Sequence, residues 1–452
     1  MHACHPVKAY DIRGRAPDEV SPELARQVGT AFVRLLDAPT ILLGHDMRTT
    51  SEELAAAFCA GARAAGAHVL NAGLVSTDAL YFTCGSLSLP AAMITASHNP
   101  ACDNGIKLCG PGVSPVDAEH GLEDIHTYLH TGRLPGGLSA SPRRAPGSLL
   151  SLDCLGGYTE YLRHSVPLHG CRPLTVVADA GNGMAGHVLP PLLEDTPITL
   201  VPLHFELDGT FPHHDADPMN PANLNELSAA VRAHGADLGL AFDGDADRCF
   251  AVDENGVPVS PAALLALFAE RLLALHPGAA VVHDLLTSAA TTETIEACGG
   301  RPYRSRVGHS FVKAEMHRRH AILGGETSGH FYFRDFWYAD SGPLAALHLL
   351  AALGRQEGTL SRLVAPYQRY VSSGEINLPH TQPQQALAAV RGRFDGTADE
   401  LDGLSVRFSR ATWFNLRPSN VEPVLRLTVE GPDRQTMSEL RDQVLKLLSP
   451  GT

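Results

Sequence analysis

Three times along the chain an apolar, strand-like run ends in an Asp-bearing loop: I-L-L-G-H-D-M-R at 41–48, T-V-V-A-D-A-G-N-G at 175–183 and A-V-V-H-D-L-L-T-S at 280–288. Each is followed by a helix-like or loop segment and a second strand-like stretch: H-V-L-N-A-G, I-T-L-V-P-L and R-P-Y-R-S-R. Recurrence at this scale is what repeated α/β units leave in a sequence. It predicts an α/β fold, with three related α/β domains built on mixed sheets. At 452 residues the chain exceeds what one core organises, so several domains are expected.

Boundaries follow from local composition. The Gly/Pro/Ser-rich stretch from Thr131 to Pro146 reads as a connector. Further breaks are expected near Asn255-Gly256 and near Ser372-Ser373-Gly374. The expected domains are therefore 1–146, 147–255, 256–371 and 372–452. The last departs from the repeated pattern and reads as a separate α+β module. It has a strand at E-I-N-L, a helix at Q-Q-A-L-A-A-V-R, and strands around 404–410 and 424–430. A terminal helix carries Met437, Leu440, Val444 and Leu447 on one face, with Asp433 as its N-cap.

Each repeated unit later supplies one loop with chemical promise. In the first, the apolar run Leu89 to Ile94 ends in T-A-S-H-N-P, which places Ser97 at a strand's mouth, where open α/β sheets bind ligands. Ser, Asn and Pro are also ordinary turn residues, so this loop alone does not decide its own role. In the second, Asp243, Asp245 and Asp247 follow the apolar run Leu238 to Phe242. Each close pair of these carboxylates repels by roughly 4 kcal/mol at an effective dielectric near 20 and a separation of about 4 Å. A cation relieves that repulsion, and an all-oxygen donor set suits Mg²⁺ or Ca²⁺. An EF-hand is excluded because Arg248 stands where its loop needs Gly, and strand-like runs flank the loop where helices are required. A solvated acidic turn is the remaining rival. The third unit carries G-G-E-T-S-G-H at 324–330.

These loops, with K-A-Y-D-I-R-G at 8–14, N-G-I-K-L at 104–108, V-G-H-S-F-V-K at 307–313 and R-P-S-N-V-E-P at 417–423, resemble the α-D-phosphohexomutase superfamily, and its phosphomannomutase branch most. The resemblance runs nearly end to end with the motifs in the family's order. It implies three α/β domains and a C-terminal domain around a central active-site cleft. The implied activity is isomerase-type: hexose 6-phosphate and hexose 1-phosphate interconvert through phospho-Ser97 and a hexose 1,6-bisphosphate, with Mg²⁺ held by Ser97, Asp243, Asp245 and Asp247. Mannose is the expected sugar and glucose a possible one. Phosphoglucomutase, phosphoglucosamine mutase, a metal-dependent sugar phosphatase and a non-catalytic sugar-phosphate sensor are the alternatives.

By the same resemblance Tyr10, Arg13, Lys107 and Arg248 surround the phosphoserine, and His309 and His330 join from later loops. Which of them moves the proton stays open, and Lys107 could instead neutralise the phosphate by charge alone. His98 is expected to be structural or a phosphate contact. Glu326 and Ser328 are expected to hydrogen-bond the sugar hydroxyls, although a helix start beside Glu326 is an equal reading. Arg417, Ser419 and Asn420 offer a cationic fork, a hydroxyl and an amide for the non-reacting phosphate, and Arg426, on the following strand, reads either as a helper or as a solvent-facing strand arginine. Relatives usually have Thr where this chain has Val421.

Composition narrows the partners. With 35 basic against 49 acidic residues the formal charge is −14, which argues against nucleic acid. No stretch approaches the roughly 18 apolar residues of a membrane span, and the N-terminus lacks a signal peptide's apolar core, so a cytoplasmic protein is expected. Nine cysteines without a C-x-x-C pair indicate neither a disulfide framework nor a zinc knuckle. Small-molecule sugar phosphates are the expected partners, and monomer and homodimer both stay open.

Overall fold

The computed structural model describes residues 6–8, 10–135, 145–379, 382–419 and 424–448. They divide into two units, Met1–Val259 with Ser328–Ser361, and Ser260–Thr327 with Arg362–Thr452.

In the first unit one sheet contains β1 (Ile12–Arg15), β2 (Thr40–His45), β3 (His68–Leu74), β4 (Ala91–Ile94), β5 (Asp103–Gly110), β6 (Ser114–Pro115) and β7 (Leu149–Ser151). Its order is β1-β5-β4-β2-β3-β7, with β6 on β5. A second sheet contains β8 (Leu174–Asp179), β9 (Ile198–Leu203), β10 (Leu238–Phe242), β11 (Cys249–Val252) and β12 (Pro258–Val259), in the order β12-β11-β10-β8-β9. In the second unit β13 (Ala280–Asp284) pairs in parallel with β14 (Arg301–Ser305) and β15 (Leu323–Gly325).

The repeat is therefore one of topology. In every copy the first strand lies between the second and the third, all parallel: β4-β2-β3, β10-β8-β9 and β15-β13-β14. The recurring Asp has one local job in all three. Asp46, Asp179 and Asp284 each accept the backbone N–H two residues on, from Arg48 (3.0 Å), Gly181 (2.9 Å) and Leu286 (3.0 Å). That Asx-turn bends the chain off the strand's carboxyl end.

Helices cover these sheets by close approach. Helix Pro22–Leu36 is capped by Ser21, whose hydroxyl accepts from Leu24 N–H, and buries Ala25, Val28 and Phe32. It lies against helix Ser51–Ala64, and a Cβ on Gly29 or Gly61 would fall within 2.3 Å of a facing carbonyl oxygen. Only glycine permits that spacing.

The remaining strands are β16 (Phe331–Phe333) and β17 (Ala339–Asp340), an antiparallel pair in the first unit, and five in the second. The five are β18 (Val371–Pro379), β19 (Thr397–Asp399), β20 (Leu404–Arg407), β21 (Trp413–Pro418) and β22 (Val424–Gly431), antiparallel in the order β18-β22-β21-β20-β19. Helix Arg434–Leu448 starts as expected, with Asp433 accepting from Thr436 N–H at 2.8 Å, and buries Met437, Leu440 and Val444. Leu447, at the end of that face, is 38% exposed.

Several expected breaks fall inside strands or hairpins. Ser372-Ser373-Gly374 is a β-bulge within β18, Gly256 turns the β11–β12 hairpin with φ +72°, and β7, just beyond residue 146, extends the first sheet through its pairing with β3. Strand β21 was hidden in the sequence because Asn415 and Arg417 break its apolar pattern. Asn415 is nonetheless buried, its amide donating to Asp402 O and Ser405 Oγ at 3.0 Å each. Among the described residues no helix is long and apolar enough to cross a membrane.

A buried polar knot ties three segments of the first unit. Asp78, in the first turn of helix Thr77–Leu87, accepts from Ser76 Oγ (2.5 Å), from Ser341 Oγ (2.7 Å) and from Tyr158 OH. Burial pushes its carboxyl up to about 7. Between pH about 4 and about 7 the folded chain thus holds a proton that the unfolded chain has released. This contribution is complete at low pH and is lost as pH rises through about 7, by at most about 1.4 kcal/mol per pH unit. Asp78→Asn should flatten the fall in unfolding free energy between pH 5 and 7 relative to wild type. Parallel urea-stability profiles for the two proteins would show that Asp78 is already ionised.

Candidate active site

Ser97 lies three residues beyond β4, buried, in a left-handed conformation with φ +53°. Non-glycine residues are uncommon there and cluster at functional sites. The conformation is held from below by Arg48, which donates to the carbonyls of Ser97 (2.8 Å), Asn99 (2.6 Å), Pro100 (2.8 Å) and Asp103 (2.9 Å). Asp46 faces the same guanidinium, with Oδ2 3.4 Å from Nε. Sequence reasoning missed both as site residues, although D-M-R closes the first repeat and its Asp and Arg were in plain view.

Ser97 Oγ donates to Asp243 Oδ2 at 2.6 Å, so the serine and aspartate loops meet. Gly244 makes this possible, because a Cβ there would sit 2.5 Å from Ser97 O. Asp243, Asp245 and Asp247 are all buried, and each offers an oxygen within 4.8 Å of the others. Burial, reinforced by Asp247 and Asp245, pushes the Asp243 carboxyl well above the usual range. For Asp247 burial acts the same way, but Lys107 and His330 outweigh it and hold the carboxyl well below that range.

Lys107, on β5, donates to Asp245 Oδ2 (2.7 Å) and Asp247 Oδ2 (2.6 Å). Burial alone would release its proton, but the two carboxylates override that and keep the amine charged. Of its two expected roles, proton transfer and charge neutralisation, this geometry fits the second. Arg248 places Nε 3.4 Å from Asp243 Oδ2 and donates from Nη2 to His98 Nδ1 at 2.8 Å. A guanidinium only donates, so His98 Nδ1 accepts from Arg248, and the same nitrogen lies 3.3 Å from Ser97 Oγ, whose closer partner is Asp243. Burial, with Arg248 and Arg13 nearby, drives His98 well below its ordinary pKa. Arg13 donates to Asn99 Oδ1 (2.8 Å) and Asp11 Oδ2 (2.6 Å). Tyr10 is half-buried near the start of β1.

His330 joins the same cluster. It forms an isolated bridge with Arg248, its Nε2 is 3.3 Å from Asp247 Oδ1, and its Nδ1 is 3.0 Å from Ser328 Oγ. The fit of a cation is visible in Asp245. One of its oxygens is taken by Lys107 and the Thr77 hydroxyl, and Oδ1 is buried without a hydrogen-bond partner. An orphaned carboxylate oxygen among three aspartates is a donor set for a hard divalent cation.

The remaining expected residues belong to the second unit. His309 opens helix His309–Arg319. Glu326 is buried and accepts the Gly308 N–H at 2.8 Å, so it supports that helix start as well as standing in the expected sugar loop. The base of the loop is fixed by Asp284 Oδ2, which accepts from Thr327 N and Oγ1 at 2.8 Å each. Arg417 sits on β21 rather than on a loop, is buried, and donates to Glu375 Oε2 at 2.7 Å. Arg426, its cross-strand neighbour, lies 3.2 Å from Glu375 Oε1. Two guanidiniums thus share one carboxylate. Ser419 N–H donates to Val424 O at 2.9 Å, and Asn420 and Val421 lie outside the described residues.

Comparison with known proteins agrees over the whole length. Three phosphoglucomutase/phosphomannomutase alpha/beta/alpha domain models match in order, domain I at residues 6–133, domain II at 157–256 and domain III at 260–370, and the C-terminal domain model matches 375–447. The chain is 38% identical to a phosphomannomutase of Salmonella typhimurium over 452 residues, covering 98% of each. It is 40% identical to the phosphohexose mutases of Xanthomonas campestris pv. campestris over 451 residues, covering 98% of this chain and 99% of the relative. A crystal structure of a phosphoglucomutase/phosphomannomutase family protein from Burkholderia thailandensis superposes with a TM-score of 0.90 at 32% identity, covering 100% of this chain and 99% of that one. With its four domains matched in order and its length shared with these relatives, the chain belongs to the phosphoglucomutase/phosphomannomutase family and is a phosphohexomutase, an isomerase that moves a phosphoryl group within a hexose phosphate.

Proposed function

We propose that the chain interconverts mannose 6-phosphate and mannose 1-phosphate, accepting glucose phosphates less readily, with Ser97 as the phosphoryl carrier. The observation that carries this reading is the 2.6 Å hydrogen bond from Ser97 Oγ to Asp243 Oδ2 inside a three-carboxylate cluster. Asp243, Asp245 and Asp247, with an oxygen of the Ser97 phosphate, would hold Mg²⁺. Bound there, the ion supplies charge stabilisation for the transferring phosphoryl group. The charge balance supports it. Once all three carboxylates are ionised, as cation binding requires, they exceed Lys107 and Arg248 by one negative charge, which repels a phosphoserine carrying about −1.5 to −2, and a divalent cation reverses that sign.

In the forward direction the phosphoryl group leaves Ser97 Oγ for a free sugar hydroxyl, whose proton passes to a base, while Ser97 Oγ takes up a proton as the leaving oxygen. The resulting hexose 1,6-bisphosphate turns over, and its other phosphoryl group returns to Ser97. Arg248 and Lys107 keep the cluster electrostatically tolerable throughout. His330, between Asp247 and Ser328, is the member of the Ser97 cluster best suited to move the proton, because lysine and arginine there are locked as cations. Glu326 and Ser328 are assigned to the sugar hydroxyls. Arg417, Ser419 and Asn420 are assigned to the distal phosphate, where the Arg417–Arg426 pair brings more positive charge than Glu375 cancels. A set of contacts at carbons 3 and 4 leaves carbon 2 ungripped, which supports dual use of mannose and glucose.

The test is a substrate panel. Mannose 1-phosphate, glucose 1-phosphate and glucosamine 1-phosphate are supplied separately with Mg²⁺ and a trace of hexose 1,6-bisphosphate, and 6-phosphate formation is followed. Mannose 1-phosphate should show the highest kcat/KM. A higher value for either other sugar overturns the mannose assignment, and release of free phosphate in place of isomer would make the chain a phosphatase.

A further inference from the structure

Away from the catalytic aspartates, the second sheet carries another set of metal-ligating groups. Asp179 ends β8, His204 directly follows β9, and His214 lies on the loop beyond it. One ligand atom from each falls within 4.8 Å of the others. His214 Nε2 is 3.1 Å from Asp179 Oδ2. Its other nitrogen, Nδ1, is 2.8 Å from the Asp215 carbonyl, which can only accept, so Nδ1 carries a proton and Nε2 is the atom aimed into the cluster. A backbone carbonyl orienting one imidazole nitrogen while the other faces a ligand is the usual outer-shell arrangement of a metal-bound histidine.

The independent observation is His204. Its side chain is more than nine-tenths buried, and Nε2 is buried without a hydrogen bond. A buried imidazole nitrogen with no hydrogen bond and only an exposed carboxylate at ion-pair distance can take a ligand without giving up an existing bond. Glu226 Oε2, on an exposed side chain, stands 3.2 Å from that nitrogen and can complete the set. His213 stacks on His204 at a centroid distance of 3.8 Å and donates through Nδ1 to Asn182 Oδ1 at 2.8 Å, so it shields the ring and is not a ligand.

The geometry points to a second metal site, formed by Asp179, His204 and His214 with Glu226 at its rim, that takes a zinc-class divalent ion. Two imidazoles and one or two carboxylates form the nitrogen–oxygen donor set that favours Zn²⁺ and its transition-metal neighbours over Mg²⁺. The ion would act through the fold. The loop it fixes continues into Phe211, whose ring lies 5.0 Å from the Arg48 guanidinium that holds the serine loop. Pinning His204 to His214 fixes both ends of the segment that contains Phe211.

Zinc uptake by the full chain in saturating Mg²⁺, followed by equilibrium competition with a chromophoric chelator, tests the site. Co²⁺ is the spectroscopic probe, since tetrahedral coordination by nitrogen and oxygen gives intense visible bands. Wild type should retain one Zn²⁺, and the Co²⁺ form should be coloured. His204→Gln should weaken binding by about 100-fold or more, at least the loss seen on removing an outer-shell partner. His213→Gln and Asp243→Asn should each keep the ion. Because Asp179 also caps a turn, His204→Gln is the deciding variant. Equal Zn²⁺ affinity in wild type and His204→Gln overturns the site. So does uptake abolished by Asp243→Asn alone, which would assign the ion to the catalytic aspartates.

Discussion

Replacing Ser97 by alanine should abolish isomerisation while leaving the protein folded and able to bind Mg²⁺. Removing a covalent carrier takes away an entire reaction route, so a fall of about 10⁴-fold or more is expected, equivalent to about 5 kcal/mol of barrier. The loss has a specific origin. Alanine tolerates the left-handed φ about as well as serine, and Arg48 grips main-chain oxygens that the substitution leaves alone. The hydrogen bond to Asp243 disappears together with the longer 3.3 Å contact to His98 Nδ1, a stability cost of about 1–2 kcal/mol. Two measurements separate the outcomes: the rate of 6-phosphate formation, and incorporation of labelled phosphate from a hexose 1,6-bisphosphate. Wild type should take up one label and Ser97→Ala none. A variant that isomerises within tenfold of wild type would mean direct transfer between sugars and would remove Ser97 from the mechanism.

The second large effect concerns stability. Lys107→Met removes the only ammonium that touches Asp245 and Asp247 among the described residues, in a site where all three side chains are buried. Breaking a buried pair from one side leaves uncompensated charge and typically costs about 3–5 kcal/mol. In the presence of a chelator the variant should therefore unfold at markedly lower denaturant than wild type. Adding Mg²⁺ should stabilise Lys107→Met more than it stabilises wild type, because the ion no longer competes with an internal cation for the same oxygens. Urea unfolding with and without Mg²⁺ tests both halves. Equal midpoints for the two proteins in chelator would show that the aspartates manage without Lys107, and the picture of an internal counter-ion would be wrong.

How much of this was legible beforehand depended on whether the information was local. The first strand of each repeat was visible because a parallel strand buried on both faces reads as an apolar run, as in L-T-V-V-A-D at 174–179 and A-V-V-H-D at 280–284. Ser97 and the three aspartates were visible because each lies just past such a run. Arg48 was not, since its role rests on aiming one guanidinium at carbonyls about fifty residues away in sequence, and nothing near position 48 announces that target. Lys107 was placed near the site, but its alternatives could be separated only by seeing which carboxylates it touches. Strand β21 and the exposure of Leu447 failed for a related reason: buried polar side chains and the end of a helix face are decided by neighbours that sequence periodicity does not report.

The thrice-used aspartate has a wider consequence. In each copy one carboxylate oxygen is committed to the turn, and the other is released for assignment. Asp46 turns its second oxygen toward Arg48, Asp179 toward His214 and Asp284 toward Thr327. A single structural post thus offers one fixed and one exchangeable socket, so copies of the same unit can diverge in task by altering what plugs into the second socket while the first preserves the architecture. The serine-loop clamp, the histidine cluster and the sugar-loop anchor are three fittings of one part.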